Sequence, residues 1–155
     1  MLARQVISPD THLSWETLAA IPETFLTAWG SLDAIEIESG QTLVLRGATS
    51  SLGLAALSLA REKGVRVIAT TRTPTKVSLL QQNGAEHVVI DIGQIAEYVR
   101  GIVPGGVNGV LELVGVTSLR DSLKAVAPRG VVCNSESLGH SWIFDRFEPL
   151  VDIPY

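Results

Sequence analysis

Thr42-Leu43-Val44-Leu45-Arg46-Gly47-Ala48-Thr49-Ser50-Ser51-Leu52-Gly53-Leu54-Ala55-Ala56 passes from an aliphatic, β-branched strand through a turn of small residues into a helix. Small residues let the backbone turn tightly and let phosphate oxygens approach the main chain. The free N–H groups and the positive dipole end of the following helix then supply an anion site. Gly53 is expected to let that helix pack closely on the sheet. The pattern departs from G-x-G-x-x-G: Ala48 and Thr49 follow Gly47, and Ser50 stands where a middle glycine often sits. The reading requires main-chain amides around Ser50 to Leu52 to be free, and its rival is a tight strand-to-helix turn with no ligand.

The same alternation continues in both directions. After the helix predicted over 51–63, closed by Gly64, residues 65–70 read as a second strand. Thr73 is placed as the N-cap of the next helix, with Pro74 at its first position and Asn83-Gly84 at its end. A third strand is expected over 87–91, a short helix over 94–100 stopping at Gly101, and a fourth strand over 108–114. Ser118 to Asp121 resembles a capping box, Pro128-Arg129-Gly130 breaks that helix, and 130–134 form a fifth strand. Strands separated by crossover-length helical stretches predict an α/β fold, a doubly wound parallel sheet (Rossmann) with helices on both faces. Unbroken apolar strands fit the chain's 46% hydrophobic and 18% charged content. Ahead of this unit, two helices are predicted over 14–20 and 23–32, the first capped by Ser14 in an incomplete box because Thr17 replaces Glu or Gln. The tail after Asn134 reads as loop with one helical turn.

At 155 residues the chain has room for one domain with its own core. A net charge of −4 gives no general attraction to nucleic acid or to an anionic membrane. The only cysteine, Cys133, excludes an internal disulfide, and His12, His87 and His140 are scattered without ligand spacing. Residues 1–6 lack an apolar signal core and no apolar run approaches membrane-spanning length, so a soluble cytoplasmic domain is expected.

A second candidate site lies where the second strand ends, in Thr71-Arg72-Thr73-Pro74-Thr75-Lys76. A dinucleotide fold that prefers NAD usually places a carboxylate here for the ribose hydroxyls. This chain has none. Arg72 and Lys76 are placed to clamp a 2′-phosphate, with the Thr71 hydroxyl adding a hydrogen bond, which favours NADP. Two solvated basic residues without a ligand are the plain alternative. Other chemistries lack support: Tyr98 has Ile102 rather than lysine four positions on, and no Gly-x-Ser-x-Gly elbow exists. Glu112 and Cys133 read as structural residues of strands four and five. Trp15, Phe25, Trp29, Phe144 and Phe147 read as packing residues or contacts to a further domain.

Four ordered segments carry a family resemblance: Ile21-Pro22-Glu23-Thr24-Phe25-Leu26-Thr27-Ala28-Trp29, Gly47-Ala48-Thr49-Ser50-Ser51-Leu52-Gly53, Gly84-Ala85-Glu86-His87-Val88, and Gly106-Val107-Asn108-Gly109-Val110-Leu111-Glu112-Leu113-Val114-Gly115. Together they resemble the medium-chain dehydrogenase/reductase superfamily, and within it the zinc-free, zeta-crystallin-like quinone oxidoreductases. The resemblance implies a lead-in over 1–40 joining a GroES-like catalytic domain, and an NADP-binding domain over 41–155 cut short at its C-terminus. It implies that Ser50, Ser51 and Leu52 line the pyrophosphate, that Thr71, Arg72 and Lys76 meet the 2′-phosphate, that Val114 and Gly115 approach the adenine side or central cleft, and that Thr27 lies near the nicotinamide. Ile92 stands where NADPH-binding members often carry tyrosine. Glu23 stands where zinc-dependent members carry a cysteine ligand, so no metal is expected. The implied activity is hydride transfer from NADPH to a small-molecule quinone or α,β-unsaturated carbonyl, with no catalytic residue assignable in this chain and no turnover expected from it alone. An exposed sheet edge is expected to support a homodimer. A zinc-dependent alcohol dehydrogenase fragment and a non-catalytic nucleotide-sensing module are the alternatives.

Overall fold

The computed structural model describes residues 8–153; residues 1–7, which include the stretch read as lacking a signal core, and residues 154–155 at the end of the tail lie outside that range. The elements run α1 (Trp15–Ile35), β1 (Thr42–Arg46), α2 (Ser51–Glu62), β2 (Arg66–Thr71), a 3-10 turn (Pro74–Lys76), α3 (Val77–Gln82), β3 (His87–Ile90), α4 (Ala96–Ile102), β4 (Val107–Glu112), α5 (Val116–Ala125), β5 (Val126–Asn134) and α6 (Pro149–Asp152). The five strands form one parallel sheet in the order β3-β2-β1-β4-β5. Chain direction across the sheet reverses between β1 and β4, and the crevice beyond their C-terminal ends is where such sheets bind ligands.

Period-two alternation sends neighbouring side chains to opposite layers. Leu43, Leu45, Val67, Ala69 and Leu111 enter one buried cluster with Ala28, Leu32 and Ile35 of α1 and with Leu52, Ala56 and Leu57 of α2. Val44, Ile68 and Val110 enter the other, with Val99 of α4 and Ala125 of α5. Both faces of the sheet are therefore covered, which is why its strands read as continuous apolar runs.

Several predicted boundaries are corrected. The two expected N-terminal helices are one, with Pro22 inside it. Ser14 does cap it, its hydroxyl accepting from the Thr17 amide at 3.3 Å. Thr73 makes no side-chain cap; its own amide donates instead to the Thr71 hydroxyl at 3.1 Å. The short fourth helix continues through Gly101 to Ile102. The expected capping box at Ser118 is not one, because α5 begins earlier, behind Gly115, and buried Ser118 donates back to the Gly115 carbonyl at 3.1 Å. Pro128-Arg129-Gly130 does not stand before the last strand but is absorbed within β5, at a register irregularity opposite Val107 and Gly109 of β4. Cys133 is half-buried and packs against the first cluster, as expected of a small strand residue. Trp15 and Trp29 are 83% and 58% exposed, so neither is a core residue of this chain.

Candidate dinucleotide site

The turn after β1 is fixed by the end of β2. The Gly47 amide donates to the Thr70 hydroxyl at 3.1 Å, and the Ala48 amide donates to the Thr70 carbonyl at 3.2 Å. Gly47 has φ +82°, a region that L side chains rarely adopt. Gly53 is required for a different reason: a Cβ there would come within 2.7 Å of the Ala48 backbone. Its smallness lets α2 press against the turn that follows β1. Ser50 is the N-cap, its hydroxyl accepting from the Gly53 amide at 3.0 Å.

The amides of this turn divide into used and unused. The Ser50 amide, expected to be free, donates to the Gly47 carbonyl at 3.2 Å. The amides of Thr49, Ser51 and Leu52 donate to no acceptor among the described residues. Free donors therefore remain at the dipole-positive end of a twelve-residue helix.

A cleft lies on either side of that helix end. The first, about 240 Å³, is lined by Gly47, Thr49, Ser50, Thr70, Thr71, Arg72, Asp91, Val114, Leu138 and Gly139. The second, about 250 Å³, is lined by Glu23, Thr24, Thr27, Ser51, Leu52, Ser135 and Glu136. The expected site residues thus fall into two groups joined by the α2 N-terminus. Thr27 lies in the second cleft, away from Arg72 and Val114 in the first. Lys76 is exposed in the 3-10 turn and lines neither cleft. Gly115 borders the first cleft only through its neighbour Val114. The Thr71 hydroxyl, buried, already engages the Thr73 backbone.

Beneath the first cleft sits a charged hub, of which the sequence singles out only Glu112, as a structural strand residue. Arg46, wholly buried at the end of β1, donates from Nε to Asp91 Oδ2 at 2.8 Å and from Nη2 to Asp91 Oδ1 at 3.0 Å. Its Nη1 reaches Asp121 Oδ2 at 2.9 Å, the Ser118 carbonyl at 3.0 Å and the Ser122 hydroxyl at 3.1 Å. Glu112, wholly buried at the end of β4, stands 3.9 Å from the same nitrogen. Glu112 Oε1 accepts from the Val114 and Gly115 amides at 2.8 and 3.1 Å, shaping the loop that walls the cleft. Burial works against the charge on Arg46, but its hydrogen bonds to Asp91 and the charges of the three nearby carboxylates outweigh it and raise its pKa. Burial likewise pushes Asp91 up, and the Arg46 hydrogen bond, the Gly93 amide and the charges of Arg46 and Arg72 bring it below its ordinary value. The wall of the cleft therefore carries an ionised but neutralised carboxylate, beside which the exposed Arg72 lines the same cleft.

A signal for this hub was present in the sequence. Arg46 and Glu112 are register partners at the C-terminal ends of adjacent strands, and Asp91 follows the third strand directly. Charged residues closing neighbouring apolar strands converge on one spot in a parallel sheet. Leu138 and Gly139 carried no such signal. They are held over the cleft by main-chain bonds, the Leu138 amide to the Leu113 carbonyl at 3.1 Å and the Gly139 amide to the Val114 carbonyl at 2.7 Å.

Among the described residues no three His, Cys, Asp or Glu side chains are grouped to hold a metal ion, and no helix is long and apolar enough to cross a membrane. The phthioceranic/hydroxyphthioceranic acid synthase of Mycobacterium tuberculosis is 35% identical over 115 residues, which cover 72% of this chain and 5% of that protein. The quinone oxidoreductase of Thermus thermophilus, solved also in complex with NADPH, is 32% identical with a TM-score of 0.71, over 79% of this chain and 40% of that one. The CurK enoyl reductase is 27% identical with a TM-score of 0.74, over 81% of this chain and 39% of that one. The chain spans less than half the length of each. Residues 51–139 match the zinc-binding dehydrogenase family, from the helix that opens at Ser51 to the tail residue Gly139 over the first cleft. With a parallel sheet, a phosphate-type turn at its switch point and this match over more than half its length, the chain belongs to the zinc-binding dehydrogenase family of the medium-chain dehydrogenase/reductase superfamily, as a cofactor-binding domain.

Proposed function

We propose that this chain holds NADP(H) for an oxidoreductase that passes hydride to an α,β-unsaturated carbonyl compound or a quinone. The observation that carries the reading is the pair of unused amides at Ser51 and Leu52, set between two clefts. A diphosphate on those amides places one nucleoside half in each cleft. Arg72 then meets a 2′-phosphate in the first cleft, with the Thr49 amide and Ser50 at its inner wall. Thr27 and Leu52 border the nicotinamide half in the second. The Thr71 hydroxyl shapes the Arg72 loop through Thr73, while Lys76 supplies only a distant positive charge. When bound, the nicotinamide supplies the hydride; this chain binds and orients it.

The finer acceptor class draws on the relatives. One of the similar structures is an enoyl reductase and another a quinone oxidoreductase. Both classes reduce an electron-poor conjugated system, which needs a positioned hydride donor more than a protein nucleophile. The acceptor wall lies outside this chain in the proposal, so the chain binds the nucleotide and oxidises none when a quinone is added. Titration with NADPH and NADH tests the reading. A preference for NADPH that disappears in Arg72→Ala supports it, and binding of neither nucleotide sinks it in favour of a module that keeps only the fold. We further propose that the outer edge of β5, which pairs with no strand among the described residues and has Val131 38% exposed, pairs with a second copy; sedimentation showing only monomer at all concentrations contradicts this.

A further inference from the structure

The segment that follows β5 runs across the crevice as a strap. Ser135 and Glu136 line the second cleft, and Leu138 and Gly139 line the first. None of residues 135–153 is buried, and Trp142 and Ile143 are 75% and 80% exposed. Apolar burial therefore does little to hold the strap, and segments with few buried contacts open at low cost. Polar contacts hold it instead, in two groups. Beside the clefts are the Leu138 and Gly139 amides, bonded to the Leu113 and Val114 carbonyls. The far end is gathered by one side chain of α5.

That side chain is Arg120. Its Nε donates to Asp152 Oδ1 at 3.0 Å, and its Nη2 donates to the Asp145 and Arg146 carbonyls at 2.6 and 2.7 Å. The guanidinium carbon lies 4.6 Å from the centroid of the Phe144 ring. Asp152 Oδ2 accepts in turn from the Glu148 amide at 2.9 Å, closing the last turn around the same group. Arg146 is held at φ +51°, a left-handed backbone that persists only where its surroundings impose it. The grip on its carbonyl does so here. We infer that Arg120 is a positioning residue: it latches the strap across the crevice and so sets how fast a nucleotide enters and leaves. This inference rests on the NADP(H) reading above and adds a control of exchange to it. Arg120 lines neither cleft of the nucleotide site, so its effect passes through the strap. Opening of such segments limits turnover in many enzymes.

Two measurements on the full chain test the latch and the gate separately. Trypsin reads the latch without nucleotide, because it cleaves after Arg146, at the carbonyl that Arg120 grips. Stopped-flow mixing with NADPH reads the gate. The Arg120 side chain is 42% exposed, so Arg120→Ala leaves the core in place. Loss of its charge-assisted bonds predicts cleavage after Arg146 about tenfold faster, with cleavage after the exposed Arg72 unchanged. NADPH association and dissociation should both quicken, again by about tenfold, whereas a merely loosened fold weakens binding without quickening association. Arg120→Lys, which keeps the charge but not the fork, and Asp152→Asn, which weakens one partner, are expected to fall between. Unchanged cleavage after Arg146 overturns the latch, as does an equal rise after Arg72. Faster cleavage with unchanged NADPH rates overturns the gate. Failure of the parent chain to bind NADPH refutes the NADP(H) reading and the gate with it, whatever trypsin shows of the latch.

Discussion

Arg46→Met removes a guanidinium of zero exposure on which three carboxylates converge. The methionine fills most of the stem's volume, so the loss is chiefly electrostatic. Asp91 loses both of its arginine bonds, Asp121 loses one, and Glu112 is left wholly buried beside a hydrophobic chain. Removing one partner of a buried ion pair costs about 3–5 kcal/mol, because the charge left behind is uncompensated. That is a large share of the roughly 5–15 kcal/mol that holds a domain together. At about 2–4 °C per kcal/mol for a domain of this size, the midpoint should fall by roughly 10 °C. Urea unfolding and calorimetry read both quantities. Arg61→Ala is the control: its pair with Glu62, at 3.3 Å, is 52% and 73% exposed and contributes little in water. The second arm adds Asp91→Asn and Asp121→Asn to Arg46→Met, which should regain part of the stability by removing the stranded charges. A loss below about 1 kcal/mol in Arg46→Met, within the range of an exposed pair, would refute the reasoning, as would no recovery in the triple variant.

Acid should weaken the fold through Asp91. Its folded pKa lies below its ordinary value, so the unfolded state binds the proton first; the stabilisation is present above the unfolded value of about 3.9 and drains away as pH falls through the folded one. Asp91→Asn should flatten that acid limb of the unfolding free energy, and an unchanged slope would exclude Asp91 as its source. Gly53→Ala forces a Cβ to within 2.7 Å of the Ala48 backbone; overpacking of this kind costs roughly 1–3 kcal/mol. It should also displace the turn, so that NADPH binding weakens more than the fold does, while full retention of both contradicts the close approach described.

Much of the architecture was legible because a parallel sheet covered on both faces writes itself as apolar runs, and the strand at 42–46 and its turn stand where the residues place them. Errors fell where tertiary contacts override local signals. Pro22 reads as a break, yet it lies on an exposed turn of α1 and the helix runs through it. Asp121 completes what looks like a local capping box. In the fold it turns away to Arg46, and to the amides of Ile95 and Ala96 at 2.7 and 3.3 Å, capping a different helix across space. The site was half legible. Turn chemistry identified Gly47 and Ser50 to Gly53, and the missing acid after β2 singled out Arg72. The Arg46 hub depends on which strand ends become neighbours, which no local spacing encodes. Lys76, one helical turn beyond Arg72 in the sequence, is carried away from the cleft by the 3-10 turn at Pro74.

Backbone amide spectra of the nitrogen-15-labelled chain, recorded as NADPH is added, test the central claim most directly. The largest shifts should fall on Thr49, Ser51 and Leu52, the three turn amides without a protein acceptor, with smaller ones on Gly47 and Ala48, whose donors are held by Thr70. Saturable binding that leaves Ser51 and Leu52 unmoved while other amides shift would contradict it.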